Sequence, residues 1–366
     1  MSSPPPLRVG ILGTARIAKK VRRGIVESGN IVCAIASREL SKAEAWAAEA
    51  VSSGDLPSLP AAFGSYEALL ASDAVDAVYI PLPCALHGEW VGKAASAKKH
   101  VCVEKPAAVS ADALRAMLAA CRAAGVFFID GTMFHFHSRL RLFLDAVREK
   151  ALFGELVSVS SAFSFCGDDA FLQSDIRTKR ALEPLGCLGD LGQYCIRMAL
   201  EAYGWAVPAT VSATAELNGE GVPLHVAATF RYAGSRRVIC VECSFLGALR
   251  QRVEVEGERA LARMSDFVIP RAPETCAFTV ESAPDMNDRH DRVVGEVKEV
   301  RVVAAEQPSG LSQEGAMWAA LRVGAAEGGG AEWALWARRA LATQVLLDAA
   351  MASIQRNGEA VAVEAL

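Results

Sequence analysis

The chain of 366 residues carries no surplus of positive charge: 38 Lys and Arg stand against 42 Asp and Glu, a formal net charge of −4. No basic stripe runs through it, so a nucleic-acid partner is not expected. No apolar run approaches the roughly 18 residues that a bilayer span requires. The opening MSSPPPLR has no apolar stretch of the kind a signal peptide needs. Neither a membrane partner nor secretion is therefore expected. Disulfide-style cysteine clustering is missing too: the ten cysteines are dispersed, and Cys33, Cys102, Cys121, Cys195 and Cys240 lie in apolar segments. They read as reduced, buried thiols of a cytoplasmic protein. Cys240 and Cys243 have CxxC spacing but fall in a predicted strand, where residues three apart face opposite ways. His135 and His137 could share a strand face, yet no third ligand accompanies them, and no metal site is expected. Internal repeats and long low-complexity segments are likewise absent.

What is present is apolar content and alternation. At 52% hydrophobic and this length, a sizeable core and about two domains are expected. Through residue 132, strand patterns (Leu7–Leu12, Ile31–Ala36, Val75–Ile80, His100–Glu104, Val126–Asp130) alternate with helix patterns (Ala15–Ser28, from Ser41, His87–Ala97, and one opened by Ser110 as N-cap). That order predicts a parallel α/β sheet with right-handed crossovers. From residue 133 to 366 the order changes. Strands are expected over Leu156–Phe165, Ala209–Leu217, Leu224–Tyr232, Arg237–Phe245, Arg250–Glu256 and Arg292–Val303, with a helix over Asp190–Ala202 and a surface loop over Pro284–Asp291. Consecutive strands without helices between them predict a large, mostly antiparallel open sheet in an α+β domain. Two helices follow, Ser312–Val323 and Ala331–Arg356, separated by Gly328–Gly330, with a short strand over Ala360–Val363.

Three motifs carry chemistry. The first is HVCVEKPAA, where an apolar strand runs into Glu104, Lys105 and Pro106. A lysine at the carboxyl end of a buried strand is costly without a role, and that end of an α/β strand is where ligands bind. The second is GILGTARIA. Gly13, Ala15 and Ala18 hold the small-residue positions of a dinucleotide fingerprint, and Gly13, Thr14, Ala15, Arg16 and Ile17 are the candidate pyrophosphate cradle. Ala15 departs from the usual second glycine. A plain strand–helix turn is the competing reading. The third is Ser37-Arg38 at the end of the second strand, where no acid stands to bind ribose hydroxyls. A hydroxyl and a guanidinium suit a 2′-phosphate, so NADP is expected over NAD; a solvated surface arginine is the alternative.

With PLP-x-x-x-H (Pro81, Leu82, Pro83, His87), FGEL (Phe153–Leu156) and GCLGDLGQY (Gly186–Tyr194), these motifs resemble the Gfo/Idh/MocA oxidoreductases over nearly the whole chain. The resemblance implies an N-terminal Rossmann domain, a C-terminal domain with a large open sheet, and NAD(P)-dependent hydride transfer on sugars, polyols or cyclic diols. It implies that Lys105 stands beside the reacting carbon and that Glu104 lies near the nicotinamide ribose. Leu82, Pro83 and His87 are further cofactor candidates, though His87 could instead cap its helix. Asp190 and Tyr194 match the family's Asp-x-Gly-x-His pattern with Tyr for His, and His135 stands where many members have Arg. Four apart on a helix, Asp190 and Tyr194 share a face. The proton is assigned either to Tyr194, tuned by Lys105 with Asp190 orienting, or to Lys105 directly. Arg177 and His137 are candidate substrate contacts, Arg177 having Asp175 as a competing partner. The broad second sheet is expected to expose an apolar face that a homodimer would bury. A non-catalytic NADP-binding sensor or scaffold is the alternative function.

Overall fold

A computed structural model of the chain describes residues 4–271, 275–282, 285–286, 293–294, 297–303, 310–328 and 330–366. In chain order the elements begin β1 (Arg8–Leu12), α1 (Arg16–Glu27), β2 (Ile31–Ala36), α2 (Leu40–Ser52), β3 (Ala61–Phe63), α3 (Tyr66–Leu70), β4 (Ala77–Ile80), α4 (His87–Ser96), β5 (His100–Val103), α5 (Ala111–Ala124) and β6 (Phe128–Asp130). There follow α6 (Ser138–Val147), α7 (Lys150–Phe153), β7 (Leu156–Cys166), α8 (Asp169–Ser174), α9 (Gln193–Ala202), β8 (Thr210–Leu217), β9 (Pro223–Arg231), β10 (Val238–Ser244), β11 (Leu246–Gly257) and β12 (Ala260–Met264). The chain closes with β13 (Thr275–Ser282), β14 (Asp285–Met286), β15 (Val293–Val294), β16 (Val297–Val303), α10 (Gln313–Ala326), α11 (Ala331–Gln355) and β17 (Val361–Ala362). Two compact units result, one from Met1–Phe136 and Leu311–Leu341, the other from His137–Gly310 and Ala342–Leu366.

The first unit is built on a parallel six-stranded sheet, ordered β3-β2-β1-β4-β5-β6. Its strands are apolar on both sides because helices cover both faces. Val9, Ile11 and Leu12 of β1, all of β4, and Val101, Cys102 and Val103 of β5 are fully buried. Helix starts follow local chemistry: the Ser65, Ser110 and Ser312 hydroxyls accept the Ala68, Ala113 and Gly315 N–H groups. Gly125, at φ +69°, closes α5 in the left-handed conformation. Helix α10 belongs to this unit and packs against α1. A Cβ on Gly24 would fall 2.6 Å from Glu314 Cβ, and one on Gly324 would fall 2.1 Å from the Phe127 ring. That approach seats Trp318, fully buried, edge-on to Tyr79 with ring centroids 6.1 Å apart.

The second unit contains a nine-stranded sheet, ordered β16-β13-β12-β11-β7-β10-β9-β8-β17, in which β10 and β7 form the parallel pair and the other described pairs are antiparallel. One face lies on α9, every residue of which is buried. The opposite face differs from expectation. Ser212, Thr229, Cys240, Ser160, Glu254 and Arg263 stand in register across six strands, and Arg250 pairs with Glu242 at 2.5 Å. This face is mostly polar, because many outward positions are Ser, Thr or charged residues, with Ala162, Ala227, Val238, Cys240 and Leu261 standing among them, while Val, Ile and Phe alternate inward. Helices α6 to α8 form where no helix was assigned. The segment Met133–Phe136 is a 3-10 turn, so His135 and His137 do not share a strand face. The helix expected over Asp190–Ala202 begins instead with a π turn, Leu188–Gly192, before α9. Of the loop expected at Pro284–Asp291 only Asp285 and Met286 are described, as β14, and Arg292, Gly295, Glu296 and Gly329 lie outside the described residues.

Two predictions follow from this packing. Gly24→Ala forces α1 and α10 apart and should cost about 1–3 kcal/mol, read as a lowered urea midpoint at unchanged m-value. His100 Nδ1 accepts the Phe127 N–H at 2.9 Å, and burial holds the ring's pKa below its ordinary value. A group so depressed contributes stability that is present above about pH 6.5 and lost as pH falls. Buried His87 adds in the same sense. His100→Asn, which keeps an acceptor but cannot titrate, should flatten the fall in stability between about pH 6.5 and 5.

Candidate active site

In the first unit the order of the strands reverses between β1 and β4, since the chain winds outward from β1 to β3 and then returns to start again at β4. The loops that leave the carboxyl ends diverge at such a point and open a crevice. A groove of about 260 Å³ lies there, lined by Gly13, Thr14 and Ala15 after β1, by Ser37, Arg38 and Glu39 after β2, by Pro81, Leu82 and Pro83 after β4, and by Lys42 and Tyr66. Gly13 sits at φ +114°, and a Cβ there would lie 3.2 Å from Leu82 Cδ2, so the turn accepts only glycine without strain. Ala15 is the N-cap residue of α1, with no side chain capping the helix and no acid in its first turn. Its twelve-residue helix therefore offers uncovered amides and the positive end of its dipole. Arg16 and Ile17 open that helix and are exposed, but they are not among the residues lining the groove.

The far end of the groove carries a mixed but net positive lining. Arg38 and Lys42 supply two cations and Glu39 one anion, and Lys42 Nζ bonds Glu39 Oε1 at 2.7 Å. Ser37 is 7% exposed and its hydroxyl accepts the Glu39 N–H at 3.4 Å. Sequence reasoning reached Ser37 and Arg38 but missed Lys42 and Tyr66. Lys42 lies in the first turn of α2, four residues beyond Arg38, which precedes the N-cap Glu39. Tyr66 arrives from a separate short helix, and no local pattern announces it.

Lys105 directly follows β5, two strands from β1. Glu104 beside it is turned inward: its Oε1 accepts the Tyr79 hydroxyl at 2.5 Å and its Oε2 the Lys105 N–H at 3.2 Å. Burial pushes the Glu104 carboxyl above the usual carboxylate range, against the pull of the Lys105 ammonium and the Tyr79 hydroxyl. His87 departs from both roles considered for it. The ring neither caps α4 nor lines the groove; it is 1% exposed, with Nε2 2.8 Å from Leu82 O and Nδ1 3.1 Å from Ala107 O. It ties the loop after β4 to the loop after β5. His135 Nε2 accepts from Arg339 Nη1 at 2.8 Å, so an arginine from α11 stands beside the position where the expected motif would carry one.

In the second unit the π turn carries Asp190, whose Oδ2 lies 3.3 Å from Arg177 Nε. Arg177 also reaches Asp175 Oδ1 at 3.2 Å, so both carboxylates hold it, and Asp190 foremost raises its pKa. Tyr194, 5% exposed, is the second residue of α9, with its ring centroid 5.9 Å from that of Phe163. The glycines around it serve close packing: a Cβ on Gly192 would lie 2.9 Å from Leu188 Cδ1, and Gly186, at φ +49°, abuts Pro223 O. His137 is 6% exposed and caps α6, its Nδ1 accepting the Arg139 N–H at 3.1 Å. That bond engages the Nδ1 side of the ring at the helix start.

Known proteins agree with this architecture. The family model for the oxidoreductase family Gfo/Idh/MocA with an NAD-binding Rossmann fold matches residues 7–132, and that for the Gfo/Idh/MocA C-terminal domain matches residues 144–263. An uncharacterized oxidoreductase of Rhizobium meliloti is 30% identical over 96% of this chain and 98% of its own. D-xylose 1-dehydrogenase (NADP(+)) 2 of Haloferax volcanii is 41% identical, but the match spans 52% of this chain and about half, 55%, of that enzyme. A 3-ketoreductase from Actinomadura kijaniata, solved in complex with NADP and TDP-benzene, superposes with a TM-score of 0.80 at 25% identity, covering 95% of this chain and 98% of its own. On these matches and on its two sheets, the chain belongs to the Gfo/Idh/MocA family of oxidoreductases.

Proposed function

We propose that the chain is an NADP-dependent dehydrogenase or reductase acting on CH–OH groups of a sugar, polyol or cyclic diol. The observation that carries the cofactor choice is the groove beyond β2, where Ser37, Arg38 and Lys42 meet without an acid at position 37. An NAD site places a carboxylate at that strand end for the ribose hydroxyls. Glu39 does not substitute for it, because Lys42 holds its carboxylate. The Gly13 turn and the bare amide end of α1 fit a pyrophosphate, and Leu82 and Pro83 form the apolar wall after β4. The names of the relatives support the same reading, since the xylose dehydrogenase is called NADP-dependent and the ketoreductase was crystallised with NADP.

When bound, NADP supplies the hydride chemistry. The chain must then handle the hydroxyl proton and orient the carbinol carbon. Lys105 is assigned the charge at the reacting oxygen, with Glu104 fixing the backbone from which it projects. Tyr194 is assigned proton donation and acceptance or, in the variant reading, a hydrogen bond to substrate while Lys105 moves the proton itself. Asp190 keeps Arg177 charged and in place, so Arg177 suits sugar hydroxyls as a donor. A homodimer through the nine-stranded sheet belongs to the same proposal, and because the exposed face is mostly polar its contacts would be hydrogen bonds and ion pairs rather than buried apolar area. The nine described cysteines, all free thiols, fit a cytoplasmic protein.

Two measurements test the reading. NADPH binding, followed by nucleotide fluorescence, should exceed NADH binding, and Arg38→Ala and Lys42→Ala should each weaken NADPH about 10- to 100-fold while leaving NADH nearly unchanged. Equal affinities in the unaltered protein reject the 2′-phosphate site. In a screen of sugars, polyols and diols read by NADPH absorbance, Lys105→Met should lower kcat about 10²- to 10⁴-fold with nucleotide binding retained. A loss of that size in Tyr194→Phe assigns the proton to tyrosine, and near-normal turnover assigns it to Lys105.

A further inference from the structure

Behind Lys105 the first unit holds a hydrogen-bonded acid pair, a fully buried Tyr79 and a half-buried Glu104, that the proposed chemistry does not use directly. Tyr79 is fully buried in the middle of the sheet, and its hydroxyl donates to Glu104 Oε1 at 2.5 Å. The other carboxyl oxygen accepts the N–H of Lys105, and the Glu104 N–H is held by Ile80 O at 3.1 Å. On the far side the loop after β6 closes in: a Cβ on Gly131 would lie 3.1 Å from Glu104 Oε1. Each side of the carboxyl is thus set by a different element, and one side-chain donor to it is a phenol packed against Trp318.

We propose that Tyr79 is a positioning residue for Lys105: by donating to Glu104 it sets the pH at which that carboxyl gains its proton, and so the lower pH limit of the site. The proposal rests on the reading of Lys105 as the proton-handling ammonium. A carboxylate moved out of water is penalised, and a hydrogen bond to its charged form offsets part of that penalty. The groups facing Glu104 divide by sign. Tyr79 from β4 and the neighbouring Lys105 favour its ionised form. Glu314 from α10 opposes it, though Lys20 pairs with Glu314 at 2.7 Å. Cys102 on β5 lies within reach of both Glu104 and Asp130 at the end of β6, and burial pushes its thiol well above its ordinary value, so it stays neutral. Removing the phenol therefore leaves desolvation with less to oppose it, and the carboxyl must take up its proton at higher pH. Once neutral, Glu104 no longer balances the ammonium beside it.

The test needs no substrate, so its failure is separate from failure of the proposed activity. Lysines are reductively methylated with ¹³C-formaldehyde, the Lys105 resonance is identified by its loss in Lys105→Arg, and it is titrated toward acid pH. In the unaltered protein an acid-side inflection should report Glu104. In Tyr79→Phe that inflection should move up by about one pH unit, with NADPH affinity unchanged, and in Glu104→Gln it should vanish. Global replacement of the five tyrosines by 3-fluorotyrosine makes the phenol a stronger donor and should move it down; this arm decides the matter if Tyr79→Phe fails to fold. An inflection that stays in place in both Tyr79→Phe and the fluorinated protein, or one that survives in Glu104→Gln, overturns the proposal. Undiminished turnover in Lys105→Met overturns its functional consequence while leaving the titration to stand.

Discussion

The first unit depends on one topological constraint, the reversal of strand order between β1 and β4. Parallel strands must be joined by crossovers, and a sheet wound outward on both sides of one point leaves that point uncovered at the carboxyl ends. The Gly13 turn, Arg38, Leu82 and Lys105 all follow the carboxyl ends of strands, although β2, β4 and β5 are far apart in sequence. The rest of the unit serves to keep that edge rigid. The strands are sealed by helices on both faces, α10 is drawn against α1 across Gly24, and His87 spans two of the site loops from beneath.

Much of this was legible because buried parallel strands read as continuous apolar runs and because capping is local. AVYI and HVCV can be little else, and Ser110 marks the start of α5 where it was expected to. The polar outer face of the second sheet was less legible. A segment such as SVSSAFSF alternates, but which set faces outward is settled by α9, which begins about thirty residues further along the chain, not by the segment itself. The π turn at Leu188–Gly192 is invisible for a related reason. One inserted residue per turn leaves no compositional trace, yet it changes the spacing on which the pairing of Asp190 with Tyr194 had been argued.

Site residues divide in the same way. The candidates that follow strands, Ser37, Arg38, Glu104 and Lys105, are proposed from pattern alone, and of these Ser37 and Arg38 line the groove. Those whose role depends on long-range packing could not be read in this way. His87 looked like a ligand or a cap, and is instead an internal strut between two backbone carbonyls. His137, proposed as a substrate contact, also caps α6 through its Nδ1, a role that no local pattern announces. Arg177 was read against Asp175, its neighbour in sequence, while the stronger influence on it comes from Asp190, thirteen residues on.

The sheet of the first unit is complete by residue 130, but the unit is not, since α10 fills its core only after eight of the nine strands of the second sheet have been made. During synthesis the strands that carry the cofactor motifs emerge first, and Tyr79 then has no Trp318 against it. Nearly two hundred residues must leave the ribosome before that tryptophan arrives. Domains usually fold in the order in which they are made. Here the amino-terminal sheet must wait, half-covered, for a helix encoded near the other end of the message, and the time it spends exposed is set by the speed of translation.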